Sequence, residues 1–247
     1  MTALVLRSLT VKPSIAFAVR ELLGSRRRSV YRLRSDDEML VVVRHRTADL
    51  VTLGEVFHER DYAPPDGMPG FVPRRIIDLG ANVGYFGAFA LSTWPSASVI
   101  AFEPDPANVL AHEQAIAVNQ LAARWELRRV AAGTRDGETA FHASGDALSH
   151  AAKDGPVVVL TEDVLPLIAD ADLLKMDVEG GEWDILADPR FRGAPPRVVV
   201  LEYHPRSAPA PDTHAAVVER LDAAGLTARA WIFRRESGYG MLWAWQP

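Results

Sequence analysis

The chain of 247 residues is 48% apolar, enough to bury a full core, and its length fits one α/β domain with a short extension. Its 27 basic and 32 acidic residues leave a net charge of −5, so no broad field attracts polyanions, and the absence of cysteine excludes disulfides and thiolate metal sites. No stretch approaches the roughly 20 apolar residues of a spanning helix; Arg7 and Lys12 interrupt any signal-like run, and the chain reads as cytoplasmic, with no membrane partner.

Residues 13–23 read as a helix, with Pro13 in its first turn and Ile15, Ala18, Val19, Leu22 and Leu23 on one apolar face ahead of Gly24. Val30 to Arg34 and Met39 to Val43 flank Ser35-Asp36-Asp37 and predict a hairpin. Arg26-Arg27-Arg28 reads as a solvated cluster at the helix end, too short and isolated for a nucleic-acid patch. A helix is expected from Asp49, and the Pro/Gly-rich stretch from Asp61 to Pro73 delivers the chain to a first strand. Residues 1–72 are therefore expected to cap the site without a core of their own, and residues 73–247 to form the main domain.

From Arg75 onward apolar strands alternate with helices, the pattern of a right-handed parallel sheet. Strands are predicted at 75–79, 98–103, 126–131, 172–177, 197–203, 226–234 and 240–245, and Gly137 to His142 adds a small strand or hairpin. Arg235 to Tyr239 is too short for a crossover, so the last pair must be antiparallel. The expected fold is α/β and Rossmann-like: a seven-stranded, mostly parallel sheet with an antiparallel edge hairpin, behind a helix/hairpin extension. Trp231, Trp243 and Trp245 read as core.

The run Ile76-Ile77-Asp78-Leu79-Gly80-Ala81-Asn82-Val83-Gly84 is a strand turning sharply into a helix, and Phe102-Glu103-Pro104-Asp105 ends the next strand. Gly80 and Gly84 allow the turn and the close approach of a ligand, and Glu103 stands where a parallel sheet sets an acid beside a ribose. A carboxylate at Asp78 would repel a diphosphate and attract an ammonium or sulfonium. S-adenosylmethionine carries both cations and a ribose diol, so this order favours it over NAD.

A second signature is Leu174-Lys175-Met176-Asp177-Val178-Glu179-Gly180-Gly181-Glu182. With Gly80 to Gly84 and Ala101-Phe102-Glu103-Pro104 ahead of it, the chain resembles the FkbM family of S-adenosylmethionine-dependent methyltransferases over residues from about 46 to 204. One departure is Glu162 between Thr161 and Asp163, where the family has an apolar residue. The resemblance implies the methyltransferase version of the Rossmann sheet and a small-molecule acceptor, such as a natural product or sugar hydroxyl. It implies cofactor contacts from Asp78, Gly80, Ala81, Asn82, Gly84, Tyr85, Phe86, Glu103, Pro104 and Asp177. RNA or protein methylation, and a pocket without catalysis, are the alternatives; acidity and the lack of a stacking module speak against RNA.

Methyl transfer to a hydroxyl needs a base, and strand tips are where such a sheet binds ligands. Asp177 and Glu179 lie two apart at one tip, and Glu202 and His204 two apart at another. His204 is the candidate base because an imidazole ordinarily titrates near neutrality; Asp177 and Glu179 are the other catalytic candidates. Each has a plainer role: Asp177 tying the methionine ammonium, Glu179 starting a helix, Glu202 paired internally and His204 satisfied in a loop. Together the four could hold an oxygen-seeking cation, but their spacing matches no known metal loop, and no metal is assigned. The acceptor pocket is expected between the N-terminal cap and the loop from Arg206 to Asp212.

Overall fold

A computed structural model describes residues 2–24, 27–68, 70–145, 150–151, 155–234 and 237–247. The N-terminal segment runs α1 (Thr2–Ser8), β1 (Val11–Lys12), α2 (Ser14–Leu23), β2 (Arg28–Leu33) and β3 (Leu40–Arg44), and its strands form an antiparallel sheet in the order β1-β2-β3. The predicted hairpin and the helix over 14–23 are both present. The expected apolar face of α2, however, points outward: Ile15 and Leu23 are 81% and 82% exposed. The helix docks instead through Phe17, whose ring meets Tyr31 edge-on at 5.0 Å, and that anchor turns the aliphatic stripe to solvent. Next, α3 (Asp49–Gly54) runs into a π-helical turn over Glu55–Glu59. Asp49 fastens its start by accepting from the Arg44 backbone N–H and pairing with the Arg44 guanidinium at 2.7 Å.

The main sheet begins with β4 (Arg75–Leu79), α4 (Tyr85–Thr93), β5 (Ser98–Phe102), α5 (Pro106–Asn119) and β6 (Trp125–Arg128). After β7 (Ala131–Gly133), β8 (Gly137–His142), β9 (His150–Ala151) and β10 (Val157–Asp163) come α6 (Leu165–Ala169), β11 (Leu173–Met176), α7 (Glu182–Ala187) and α8 (Pro189–Gly193). The chain closes with β12 (Val198–Tyr203), α9 (Thr213–Ala223), β13 (Thr227–Arg234) and β14 (Tyr239–Trp245). Seven strands pair in the order β13-β14-β12-β11-β4-β5-β6. The five from β12 to β6 are parallel, and β14 runs antiparallel to both its neighbours, as the short connection requires.

The inner strands are buried on both faces, which is why they read as continuous aliphatic runs. Ile76 packs with α4, α5 and the N-terminal segment, whereas its neighbour Ile77 packs with the layer of α6 to α9, following the two-residue strand period. Phe17, Tyr31 and Val42 belong to the same buried cluster as Tyr85 and Phe86, so the extension shares a core with the sheet. The hydroxyl of Tyr85 donates to the Val42 carbonyl across that boundary.

The structure departs from expectation after β6. The third strand ends at Arg128, and the chain leaves to build a second sheet in the order β7-β10-β8-β9. The seven-residue β10 was not foreseen, because its apolar residues are mostly exposed, Leu160 by 58%, and it follows no strand–helix rhythm. Trp243 is fully buried and Trp245 half-buried, whereas the side chain of Trp231, and Arg26, Arg235 and Glu236, lie outside the described residues. Among the described residues no helix is long and apolar enough to cross a membrane.

Candidate active site

The C-terminal tips of β4, β5, β11 and β12 meet at one cleft. Gly80 has φ 74°, and a Cβ there would lie 1.7 Å from the Asp177 carbonyl oxygen, so only glycine lets the β4 tip lie this close to the β11 tip. The Gly80 and Ala81 backbone N–H groups donate to the Phe102 carbonyl at 3.1 and 2.9 Å, tying the loop to β5. Asn82 takes φ 49° and donates its N–H to one Glu103 oxygen at 2.8 Å; the Asp105 N–H donates to the other at 2.7 Å. Glu103 is thus oriented by two backbone donors and buried, and burial pushes its carboxyl up to about 7. At the start of α4, Gly84 lies with φ 88° against His112 and Trp125.

Two pockets flank this loop. The first is lined by Gly80, Phe102, Glu103, Pro104, Asp177, Val178 and Gly181, with Ala131, Ala132, Phe141 and Ala151 of the small sheet as its far wall. Glu162, the departure from the family pattern, pairs with Arg128, whose guanidinium lies 5.5 Å over the Phe102 ring. The second pocket is lined by Thr52, Glu55, Val56 and Tyr62 from the N-terminal segment, by Gly80 to Val83 of the loop with Tyr85 and Phe86 at the start of α4, and by Lys175, Asp177, Glu179 and Glu202. Gly80 and Asp177 belong to both. The loop from Arg206 to Asp212 does not line either one; Pro209 and Ala210 border a separate depression against α7 and α9.

Asp78 is not presented to the cleft. Its carboxylate is fully buried and lies 3.3 Å from the Lys175 ammonium, which also donates to the Gly80 carbonyl at 2.6 Å. The pair is locally neutral, so Asp78 attracts no ligand cation by net charge. The acids that face the second pocket are Asp177, Glu179, Glu202 and Glu55. Tyr85 and Phe86 border that pocket, but their rings belong to the core, Phe86 packing edge-on against Tyr62 at 5.3 Å.

His204 stands inside a ring of carboxylates. Its Nε2 lies 3.6 Å from Glu179, 3.6 Å from Glu202 and 4.0 Å from Asp177, and its Nδ1 lies 3.3 Å from Glu182. Fully buried Glu182 also accepts the backbone N–H groups of His204 and Gly180, each at 2.7 Å, and the Trp183 indole donates to the His204 carbonyl. Burial alone would lower the imidazole pKa, but the polar contacts with Glu182 and Glu202 and the charge of Asp177 raise it to about 11. The expectation that His204 titrates near neutrality therefore fails: it carries its proton at pH 7 and accepts none. Burial, and then the charge of Glu202, push the Asp177 carboxyl up.

The family model of the methyltransferase FkbM domain matches residues 78–227. The chain belongs to the FkbM methyltransferase family. Among solved structures it is similar to methyltransferase FkbM from Methylobacillus flagellatus, at 15% identity and a TM-score of 0.53, over 99% of this chain and 58% of that one. It thus spans a little over half the length of that relative. It is also similar to precorrin-6y C5,15-methyltransferase from Geobacter metallireducens, at 15% identity and a TM-score of 0.45, covering 73% of this chain and 84% of the other. No curated protein matches the sequence significantly. The FkbM motifs supply Gly80, Ala81, Asn82, Glu103, Pro104, Asp177 and Glu179 to the two pockets, and His204, from outside those motifs, stands at their acidic edge. Sequence reasoning missed Lys175 as the partner of Asp78, Glu182 as the anchor of His204, and Glu55 and Tyr62 as pocket walls. A lone lysine within Leu173-Leu174-Lys175-Met176 was the one legible signal, because a cation in an inner strand requires a partner.

Proposed function

We propose that the chain is an S-adenosylmethionine-dependent methyltransferase that methylates a hydroxyl of a small molecule. The observation that carries this reading is the pair of pockets joined at Gly80 and Asp177, one with the chemistry for a nucleoside and one lined by acids. Phe102, Pro104, Ala131 and Phe141 offer apolar surface to a base. Glu103 keeps unused lone pairs for a ribose diol while its backbone donors hold it in place. Asp177, at the junction, faces the position of an ammonium or sulfonium. When bound, the cofactor supplies a methyl group made electrophilic by its sulfonium.

The residues of the second pocket orient the acceptor and shield the reacting centre, and orientation accounts for much of the barrier reduction in such displacements. Tyr62, Thr52 and Glu55 close the pocket from the N-terminal side. The acceptor oxygen gains the methyl group and loses its proton to the carboxylates that line the pocket beside His204, among them Asp177, whose carboxyl burial and the charge of Glu202 push up. Protonated His204 positions those carboxylates. The acidic lining opposes a polyanionic acceptor. Calorimetry with S-adenosylhomocysteine and NAD tests the cofactor reading: heat is expected from the first alone, and NAD binding in its place would overturn it.

A further inference from the structure

Three carboxylates converge on one nitrogen of His204, each beyond ordinary hydrogen-bond length. Hydrogen bonds of this kind span roughly 2.7–3.2 Å, whereas Nε2 lies 3.6 Å from Glu179, 3.6 Å from Glu202 and 4.0 Å from Asp177. Ligand atoms of Asp177, Glu179 and His204 all lie within 4.8 Å of one another. That span matches the diameter of a coordination shell with bonds of about 2.4 Å.

The imidazole is also oriented from behind. Glu182 holds Nδ1 at 3.3 Å and is itself pinned by two backbone N–H groups, so Nε2 is aimed into the cup. His204 is only 8% exposed, and a carboxylate on the second nitrogen is the arrangement that fixes histidine ligands of metals. Charge points the same way. Asp177, Glu179, Glu182 and Glu202 surround a single imidazole, and the nearby Lys175 ammonium is shared with Asp78.

We propose that Asp177, Glu179 and His204 bind one divalent cation that accepts mixed oxygen and nitrogen ligands, of the manganese type, with Glu202 beside it; the cation takes the place of the proton that Nε2 carries in its absence, and that proton is released to solvent. The cup opens on the second pocket, where Asp177, Glu179 and Glu202 retain side-chain exposures of 25%, 19% and 18%. A cation held there would be within reach of an acceptor oxygen from that side, and would make that oxygen more acidic. Binding of the cation does not depend on the methyl-transfer reading; only its use on the acceptor rests on it.

Manganese(II) titrated into the full chain, with the free ion counted by electron paramagnetic resonance, should reveal one site per chain from which magnesium competes. His204→Ala and Glu179→Gln should each weaken manganese binding at least tenfold while calorimetric affinity for S-adenosylhomocysteine changes little. A folded protein that binds S-adenosylhomocysteine but no manganese at millimolar concentration would overturn the proposal, as would variants that bind manganese like the parent. Should His204→Ala lower the melting temperature sharply, the Glu179→Gln comparison decides alone. Failure to bind S-adenosylhomocysteine overturns the cofactor reading and leaves the manganese count to stand or fall separately.

Discussion

Lys175 on β11 sits directly across from Asp78 on β4, and their side chains meet at 3.3 Å with both residues buried. Burial pushes the Asp78 carboxyl up and the Lys175 ammonium opposes that shift, while burial works against the ammonium and the charges of Asp78 and Asp177 outweigh it. The ammonium also holds the Gly80 carbonyl, which makes the pair a brace under the cofactor loop.

Removing the cation leaves an uncompensated carboxylate in the sheet. Lys175→Met should cost about 3–5 kcal/mol of stability. Lys175→Met combined with Asp78→Asn should recover part of that loss. Urea denaturation followed by circular dichroism measures both, and a single variant as stable as the parent would deny the brace its role.

Glu103 should weaken the cofactor's hold when it is lost or protonated. Glu103→Ala removes two charge-assisted hydrogen bonds of about 1.5–3 kcal/mol each and should reduce S-adenosylhomocysteine affinity at least tenfold without unfolding the chain. Because burial pushes this carboxyl up to about 7, affinity should decline as pH falls below that value. Calorimetry across this range should show the decline in the parent and a flatter profile in Glu103→Gln.

Gly80→Ala tests the loop. The added methyl would meet the Asp177 carbonyl oxygen at 1.7 Å at a backbone angle that L residues rarely adopt. The strand tips must then separate, so S-adenosylhomocysteine binding should vanish and the melting temperature fall. Gly193→Ala, whose Cβ would meet nothing within 4 Å, is the control expected to change neither.

His112 makes a stability prediction with a definite sign. Its ring is fully buried beside Trp125, and burial lowers its pKa from 6.5 to about 3. Between those values the unfolded chain binds a proton that the folded chain refuses. The contribution of His112 is therefore whole above pH 6.5 and is lost as pH falls toward 3, by up to about 1.4 kcal/mol per pH unit. His112→Phe should narrow the stability difference between pH 7 and pH 4. An identical pH dependence in parent and variant would show that His112 has no part in it.

The positions of the seven main strands, the glycine loop and the acid at the β5 tip were legible in the sequence because burial imposes local regularities. A strand buried on both faces must be aliphatic, as Val198-Val199-Val200-Leu201 is, and a turn at φ 74° calls for the glycine found at 80. The site's electrostatics were not legible, since Coulomb interactions follow distance in space. His204 looked like an ordinary neutral-range imidazole until the fold brought Glu182 from the start of α7, Asp177 and Glu179 from beyond β11, and Glu202 from β12 around it. Asp78 looked like a cofactor ligand until the β4–β11 register set Lys175 opposite it. Tertiary structure also chose which side of α2 to bury, because Phe17 alone found a socket against Tyr31 and His45. Sequence period determined which segments enter the sheet; the meeting of distant segments decided which charges survive in the cleft, because each carboxylate's state depends on neighbours that no local pattern names.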